Sequence, residues 1–292
     1  MSMIRVENLT FAYPGSYDHV FENASFEIDT DWKLGFIGRN GRGKTTFLHL
    51  LTGRYPYSGR IDSAAAFEYF PYPVRDPDRP TEAILRELRP EAGDWEILRE
   101  LNGLRLPPEI LSRPFATLSN GERTKALLSV LFVGGGRYPL IDEPTNHLDA
   151  AGRALVSAYL CKKRGFLLVS HDRTFLDGCV DHVLSVNRAD IQVQAGNFSS
   201  WQVNFARQQA FEQAEDARLG RDVARLRRAA GRTSGWSSRV ETEKKGKTAA
   251  GLKPDRGHVG RQAAKLAARS KAIENRRERA VEQKSALLQN RE

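Results

Sequence analysis

The chain has 292 residues, 40% hydrophobic and 28% charged, which is enough to bury a full α/β core in one or two domains. No run of about 18 apolar residues occurs, no signal-peptide pattern opens the chain, and Cys161 and Cys179 lack metal-like spacing, so we expect a cytoplasmic protein without membrane insertion, metal finger or disulfide scaffold. The net charge of +9 is unevenly placed: residues 1–200 carry 23 Lys+Arg against 25 Asp+Glu, whereas residues 201–292 carry 22 against 11, a basic arm suited to a polyanion.

In chain order, residues 3–8 and 24–29 alternate apolar and polar, as half-exposed strands do. Between them Phe11-Ala-Tyr13-Pro14-Gly15 forms a turn that presents an aromatic, with Tyr13 open to stacking on an adenine ring or to packing. Trp32–Ile37 reads as a buried strand and Thr46–Leu51 as the start of a helix. Between these two lies Gly38-Arg-Asn-Gly41-Arg-Gly43-Lys44-Thr45-Thr46, which matches G-x-x-x-x-G-K-[ST]. In that strand–loop–helix setting the backbone N–H groups of Gly38, Asn40, Gly41 and Gly43 turn toward a polyphosphate, aided by the helix N-terminus. Lys44 reaches the β- and γ-phosphates, the Thr45 hydroxyl ligates Mg²⁺, and Thr46 completes the cradle, so ATP with Mg²⁺ is the expected ligand.

Residues 64–70 form a further strand candidate closed by Pro71 and Pro73, and residues 80–105 read as short helices. Leu118-Ser119-Asn120-Gly121-Glu122 opens a helix, and Tyr138–Pro144 is a buried strand ending in Asp142 and Glu143. A helix over 150–161 precedes the buried strand Gly165–Ser170, which ends in His171-Asp172. Strands alternating with helices predict a mostly parallel sheet that binds its ligand at the carboxyl ends of the strands, where all three motifs fall. Asp142 can hold Mg²⁺ through water, Glu143 can polarise an attacking water, and His171 can reach the γ-phosphate.

From Trp201 on the pattern changes. Residues 202–230 and 261–290 read as long helices, joined by a glycine-rich basic tip over 231–260 that carries Trp236. The alternatives for this segment are a solvated helix and a disordered tail.

The motifs at 38–45, 118–122, 140–149 and 170–172 together resemble an ATP-binding cassette, in matching order across residues 3–195. Glu122 in the signature and the run Asp142-Glu-Pro-Thr-Asn-His-Leu-Asp149 resemble the ABC-F subfamily, and Gly196-Asn-Phe-Ser-Ser-Trp201 resembles the start of its interdomain linker. The resemblance implies a P-loop NTPase fold of the ABC nucleotide-binding type over 1–195, with a basic α-helical hairpin linker over 196–292. It implies an ATPase acting on the ribosome, closest to the antibiotic-resistance branch, with the arm reaching 23S rRNA and the tRNA region. By the same resemblance Glu143 and His171 are catalytic and Thr45 and Asp142 support Mg²⁺. Ser119 and Gly121 contact a γ-phosphate held by a second cassette, Glu122 closes that signature within the cofactor-binding set, and Asp149 lies at the cassette–cassette interface.

The sequence departs from the family at Tyr69-Phe-Pro-Tyr72-Pro, where many cassettes place a Gln, and at Asn120, where Gly is usual. No second P-loop or signature occurs in these 292 residues, so the expected second cassette comes from a homodimer or a separate chain. The competing readings are the ATPase subunit of a membrane transporter and a truncated remnant that binds ATP with little turnover.

Overall fold

In a computed structural model the described residues are 2–245, without 39, 40, 42 and 187–190. The chain divides into two units between Asn204 and Phe205.

The first unit holds two sheets. Strands β1 (Met3–Phe11), β2 (Phe21–Asp29) and β4 (Ser58–Ser63) pair antiparallel in the order β2-β1-β4. The apolar Ile4, Val6, Leu9 and Phe11 of β1 turn inward, and the register shifts between Val6 and Leu9, where Asn8 takes a φ of 51°. This is a bulge that keeps Leu9 and Phe11 on the buried face.

The second sheet contains β3 (Lys33–Ile37), β5 (Ala66–Phe70), β6 (Arg137–Asp142), β7 (Phe166–Val169), β8 (His182–Val186) and β9 (Ile191–Ala195). Its order is β5-β6-β7-β3-β8-β9, parallel throughout except for the β8–β9 pair. Strands β3, β6 and β7 read as continuous apolar runs because both of their faces are covered. Along β7 the side chains alternate between two cores. Leu167 and Val169 join the cluster around Phe36, Phe47 and Leu48, and Phe166 and Leu168 join the cluster around Leu101, Leu128 and Val156.

Helix α1 (Lys44–Leu51) covers the first face. Helices α2 (Thr81–Leu88), α3 (Asp94–Gly103), α4 (Asn120–Leu131), α5 (Ala150–Cys161) and α6 (Arg173–Cys179) cover the other. Their starts are set by local chemistry. Ser119 and Glu122 form a capping box at α4, Asp149 accepts from the Gly152 N–H at α5, and Asp172 accepts from the Phe175 N–H at α6.

Two buried carboxylates brace the helical face. Glu68 of β5 accepts from Arg89 beyond α2 and from the Tyr72 hydroxyl at 2.6 Å. Glu100 of α3 accepts from the Tyr159 hydroxyl of α5 at 2.6 Å and pairs with Lys163.

Helix α7 spans Phe198–Lys245. Its first turn is fixed by the Ser199 N–H donating to Asp177 Oδ1 at 2.7 Å and by Phe198 and Trp201, which pack on the helical-face core. The expected break at 231 does not occur. Gly231 and Gly235 are isolated and no proline falls before Pro254, so each glycine costs only about 1 kcal/mol and the helix continues through them. The remaining tip, 246–260, and the expected helix over 261–290 lie outside the described residues. Strands β4, β8 and β9 and helix α6 are additions to the elements expected from sequence. No helix among the described residues is long and apolar enough to cross a membrane.

Candidate functional site

The carboxyl ends of β3, β6 and β7 converge on a cavity of about 360 Å³. It is lined by Tyr13, Gly41, Gly43, Lys44, Thr45, Thr46, Asp142, Glu143 and His171, with Val20 and Val169 as its apolar wall. Residues far apart in sequence therefore share one concave surface, as expected of ligands at strand ends in open α/β sheets.

Gly43 caps α1 with φ 80°, and a Cβ there would lie 2.3 Å from Val20 Cγ1, so both conformation and space require glycine. The Lys44 ammonium is buried and donates to the Gly38 carbonyl at 2.8 Å, folded over its own loop. Burial lowers its pKa, against the opposing pull of Glu143 and Asp142. The Thr46 hydroxyl is bonded to the Tyr13 hydroxyl at 2.7 Å, and the Tyr13 ring stands edge-on to Phe11 and Tyr55 at 5.1 and 5.7 Å. Tyr13 thus lines the cavity while it packs in an aromatic cluster. Asn40 lies outside the described residues.

The Glu143 N–H extends the β6–β7 ladder by donating to the Val169 carbonyl at 2.9 Å, and Glu143 itself takes φ 48°. A left-handed glutamate is strained, and such strain concentrates at functional sites. Its Oε2 accepts from the His171 N–H at 3.4 Å. Its buried Oε1 lies 3.2 Å from His171 Nε2 in a geometry that makes no hydrogen bond, leaving that oxygen without a donor among the described residues. Burial raises the Glu143 carboxyl above the usual carboxylate range, with His171 pulling it down and Asp142 pushing it up. Asp142 accepts a 3.0 Å hydrogen bond from the Tyr69 hydroxyl of β5 on Oδ2. Burial, then the charge of Asp142, raises the Tyr69 phenol above its usual range and keeps it a donor.

The family model described as ABC transporter matches residues 21–146. ABC transporter F family member 3 of Arabidopsis thaliana is 29% identical over 206 residues, covering 68% of this chain and 29% of the relative. ATP-binding protein Uup of Haemophilus influenzae is 33% identical over 201 residues, covering 64% of this chain and 31% of the relative. Over these residues the chain is similar to the ATP-binding cassettes of ABC-F proteins. A metal-chelate type ABC transporter in an inward-facing conformation superposes with a TM-score of 0.55 at 22% identity, over 66% of this chain and 83% of that one. That likeness is one of fold. The matched region spans 29% and 31% of the two sequence relatives, under a third of each.

Within the cassette, Ser119, Gly121, Glu122 and Asp149 stand apart from the cavity. The Ser119 hydroxyl donates to Glu122 Oε2 at 2.8 Å, and a Cβ on Gly121 would lie 3.4 Å from the His147 carbonyl. These four residues form a second patch where the start of α4 meets the segment leading into α5. Tyr72 bonds Glu68 and does not line the cavity. Tyr69 is the residue that sequence reasoning missed. Alternation along Glu68-Tyr69-Phe70 puts Tyr69 on the α1 face, and only the β5–β6 pairing, Tyr69 opposite Leu140, brings it beside Asp142.

Proposed function

We propose that the cassette binds ATP with Mg²⁺ and hydrolyses it once a second cassette completes the site, and that this cycle acts on the ribosome. The observation that carries the ATPase reading is the meeting of Lys44, Thr45, Asp142, Glu143 and His171 in one cavity. Lys44, released from Gly38, holds the β- and γ-phosphates, and the loop N–H groups cradle them. The donors fit Mg²⁺: Thr45 and Asp142 line the cavity and offer hard oxygens, suited to a metal whose other ligands are phosphate oxygens and water. Bound Mg²⁺ supplies neutralisation of the developing phosphate charge. Glu143, with its raised basicity and a buried oxygen open to a donor, takes the proton of the attacking water, and His171 holds Glu143 and the γ-phosphate side in place.

Ser119 and Gly121 serve the site of the opposite cassette, and Asp149 lies at the interface between the two. Ribosome binding is supported by the basic excess of 22 Lys+Arg over 11 Asp+Glu in residues 201–292, which suits 23S rRNA phosphates and the tRNA region. Protection from antibiotics is the finer form of this reading, and the cytoplasm is its setting.

Co-sedimentation of the Glu143→Gln chain with ribosomes, with and without ATP, tests both parts. Slowed hydrolysis, by roughly 10²–10⁴-fold, with retained ATP binding is expected. ATP-dependent co-sedimentation is expected with it, and binding indifferent to ATP overturns the ribosomal cycle.

A further inference from the structure

The end of β5 and the residues that follow it read Tyr69-Phe-Pro-Tyr72-Pro, and the two tyrosines have opposite fates. Tyr72 gives its hydroxyl proton to Glu68 at 2.6 Å, inside the buried cluster with Arg89. Tyr69, on the other face of the strand, gives its proton to Asp142 Oδ2 at 3.0 Å. The Tyr69 ring is itself held. The imidazole of His49 on α1 packs against it with ring centres 5.1 Å apart, and His49 Nε2 lies 3.0 Å from Arg54 Nη1. A phenol has one proton to donate, and this one is spent on a carboxylate at the edge of the cavity, although Tyr69 does not itself line that cavity.

A terminal carboxylate at a strand end turns freely about its last bond unless something selects one orientation. A charge-assisted hydrogen bond to one oxygen makes that selection, and a donor packed between an aromatic ring and a sheet makes it with little entropy left to lose. We infer that Tyr69 is a positioning residue for the metal side of the site: its hydroxyl fixes Asp142 by Oδ2 and leaves the other carboxylate oxygen for the Mg²⁺ that accompanies ATP. The inference rests on the ATP–Mg²⁺ reading above. It assigns to a strand residue a task that neither the P-loop nor the segment after β5 performs here. If Tyr69 were only packing, phenylalanine would serve equally well.

The test uses the full chain and ATP bearing a fluorescent N-methylanthraniloyl group, titrated with and without Mg²⁺ for the unmodified protein, Tyr69→Phe and Asp142→Asn. Phenylalanine keeps the ring against His49, and melting in the absence of ligand verifies the fold. For Tyr69→Phe, nucleotide affinity without Mg²⁺ is expected to stay within about twofold, while the Mg²⁺ concentration that half-saturates the Mg²⁺ effect rises about tenfold. Asp142→Asn is expected to abolish the Mg²⁺ effect. An unchanged Mg²⁺ midpoint in Tyr69→Phe overturns the inference, as does an equal loss of affinity with and without Mg²⁺, which marks a structural role. If the unmodified chain shows no Mg²⁺ effect, the ATP–Mg²⁺ reading itself falls and takes the inference with it.

Discussion

At the scale of the residue, Glu143 concentrates the tension in the site. It is left-handed, largely buried, and keeps one oxygen without a donor among the described residues. Its carboxyl titrates above the usual range when folded, so the folded state holds its proton more tightly than the unfolded chain does. Stability linked to this group is therefore present at low pH and is lost as pH rises from the ordinary carboxylate pKa of about 4.3 through the raised folded value. Glu143→Gln removes that loss. Its melting temperature is expected to exceed that of the unmodified chain at neutral pH, with the gap closing toward acid. Thermal melts across a pH series measure this, and a gap that is constant with pH refutes the assignment. Motif spacing alone marked Glu143, Lys44 and Thr45 in the sequence. The left-handed turn at Glu143 was not legible, because it follows from the β6–β7 ladder running one residue past Asp142. The Tyr69–Asp142 bond was hidden for a related reason, since cross-strand register has no local signature.

At the scale of the element, continuous apolar runs and caps told most of the story. Strands β3, β6 and β7 announce themselves as apolar blocks, and α4 by Ser119 followed three places later by Glu122. The elements missed are those without such marks. Strand β4 is Ser-Gly-Arg-Ile-Asp-Ser, with a single large apolar residue, and β9 is exposed or half-exposed at every position, at the antiparallel end of the sheet. Composition also overstated the breaking power of Gly231 and Gly235, because glycine weakens a helix without ending it. The helical face depends on buried ion pairs that sequence gives no way to match. Arg89 and Glu68 are each 8% exposed, so removing Arg89 leaves a buried carboxylate with only the half-exposed Arg137, at 3.4 Å, to balance its charge. Arg89→Met is expected to cost about 3–5 kcal/mol in denaturant unfolding. Removing the exposed pair of Arg86 and Glu82 along α2 is expected to leave the unfolding midpoint nearly unchanged, and a comparable loss at both pairs contradicts the role of the buried one.

At the scale of the whole molecule, charge is divided between a near-neutral cassette and a basic C-terminal segment. Binding to a polyanion through that segment releases counterions, so affinity falls linearly with salt on logarithmic axes. Deleting residues 201–292 is expected to flatten that slope for ribosomes or structured RNA, and an unchanged slope places the contact elsewhere. The strand order has a consequence of another kind, for synthesis. Strand β3, which carries the P-loop, pairs with nothing near it in sequence: Lys33 lies opposite Phe166, and Leu34 opposite His182. The small sheet β2-β1-β4, by contrast, is complete once Ser63 has been made. On an elongating ribosome the phosphate loop therefore waits beside a finished sheet, its own strand unpaired on both edges, while most of the cassette is translated. Such an edge is where a nascent chain is open to mispairing, and where a chaperone gains most by covering it.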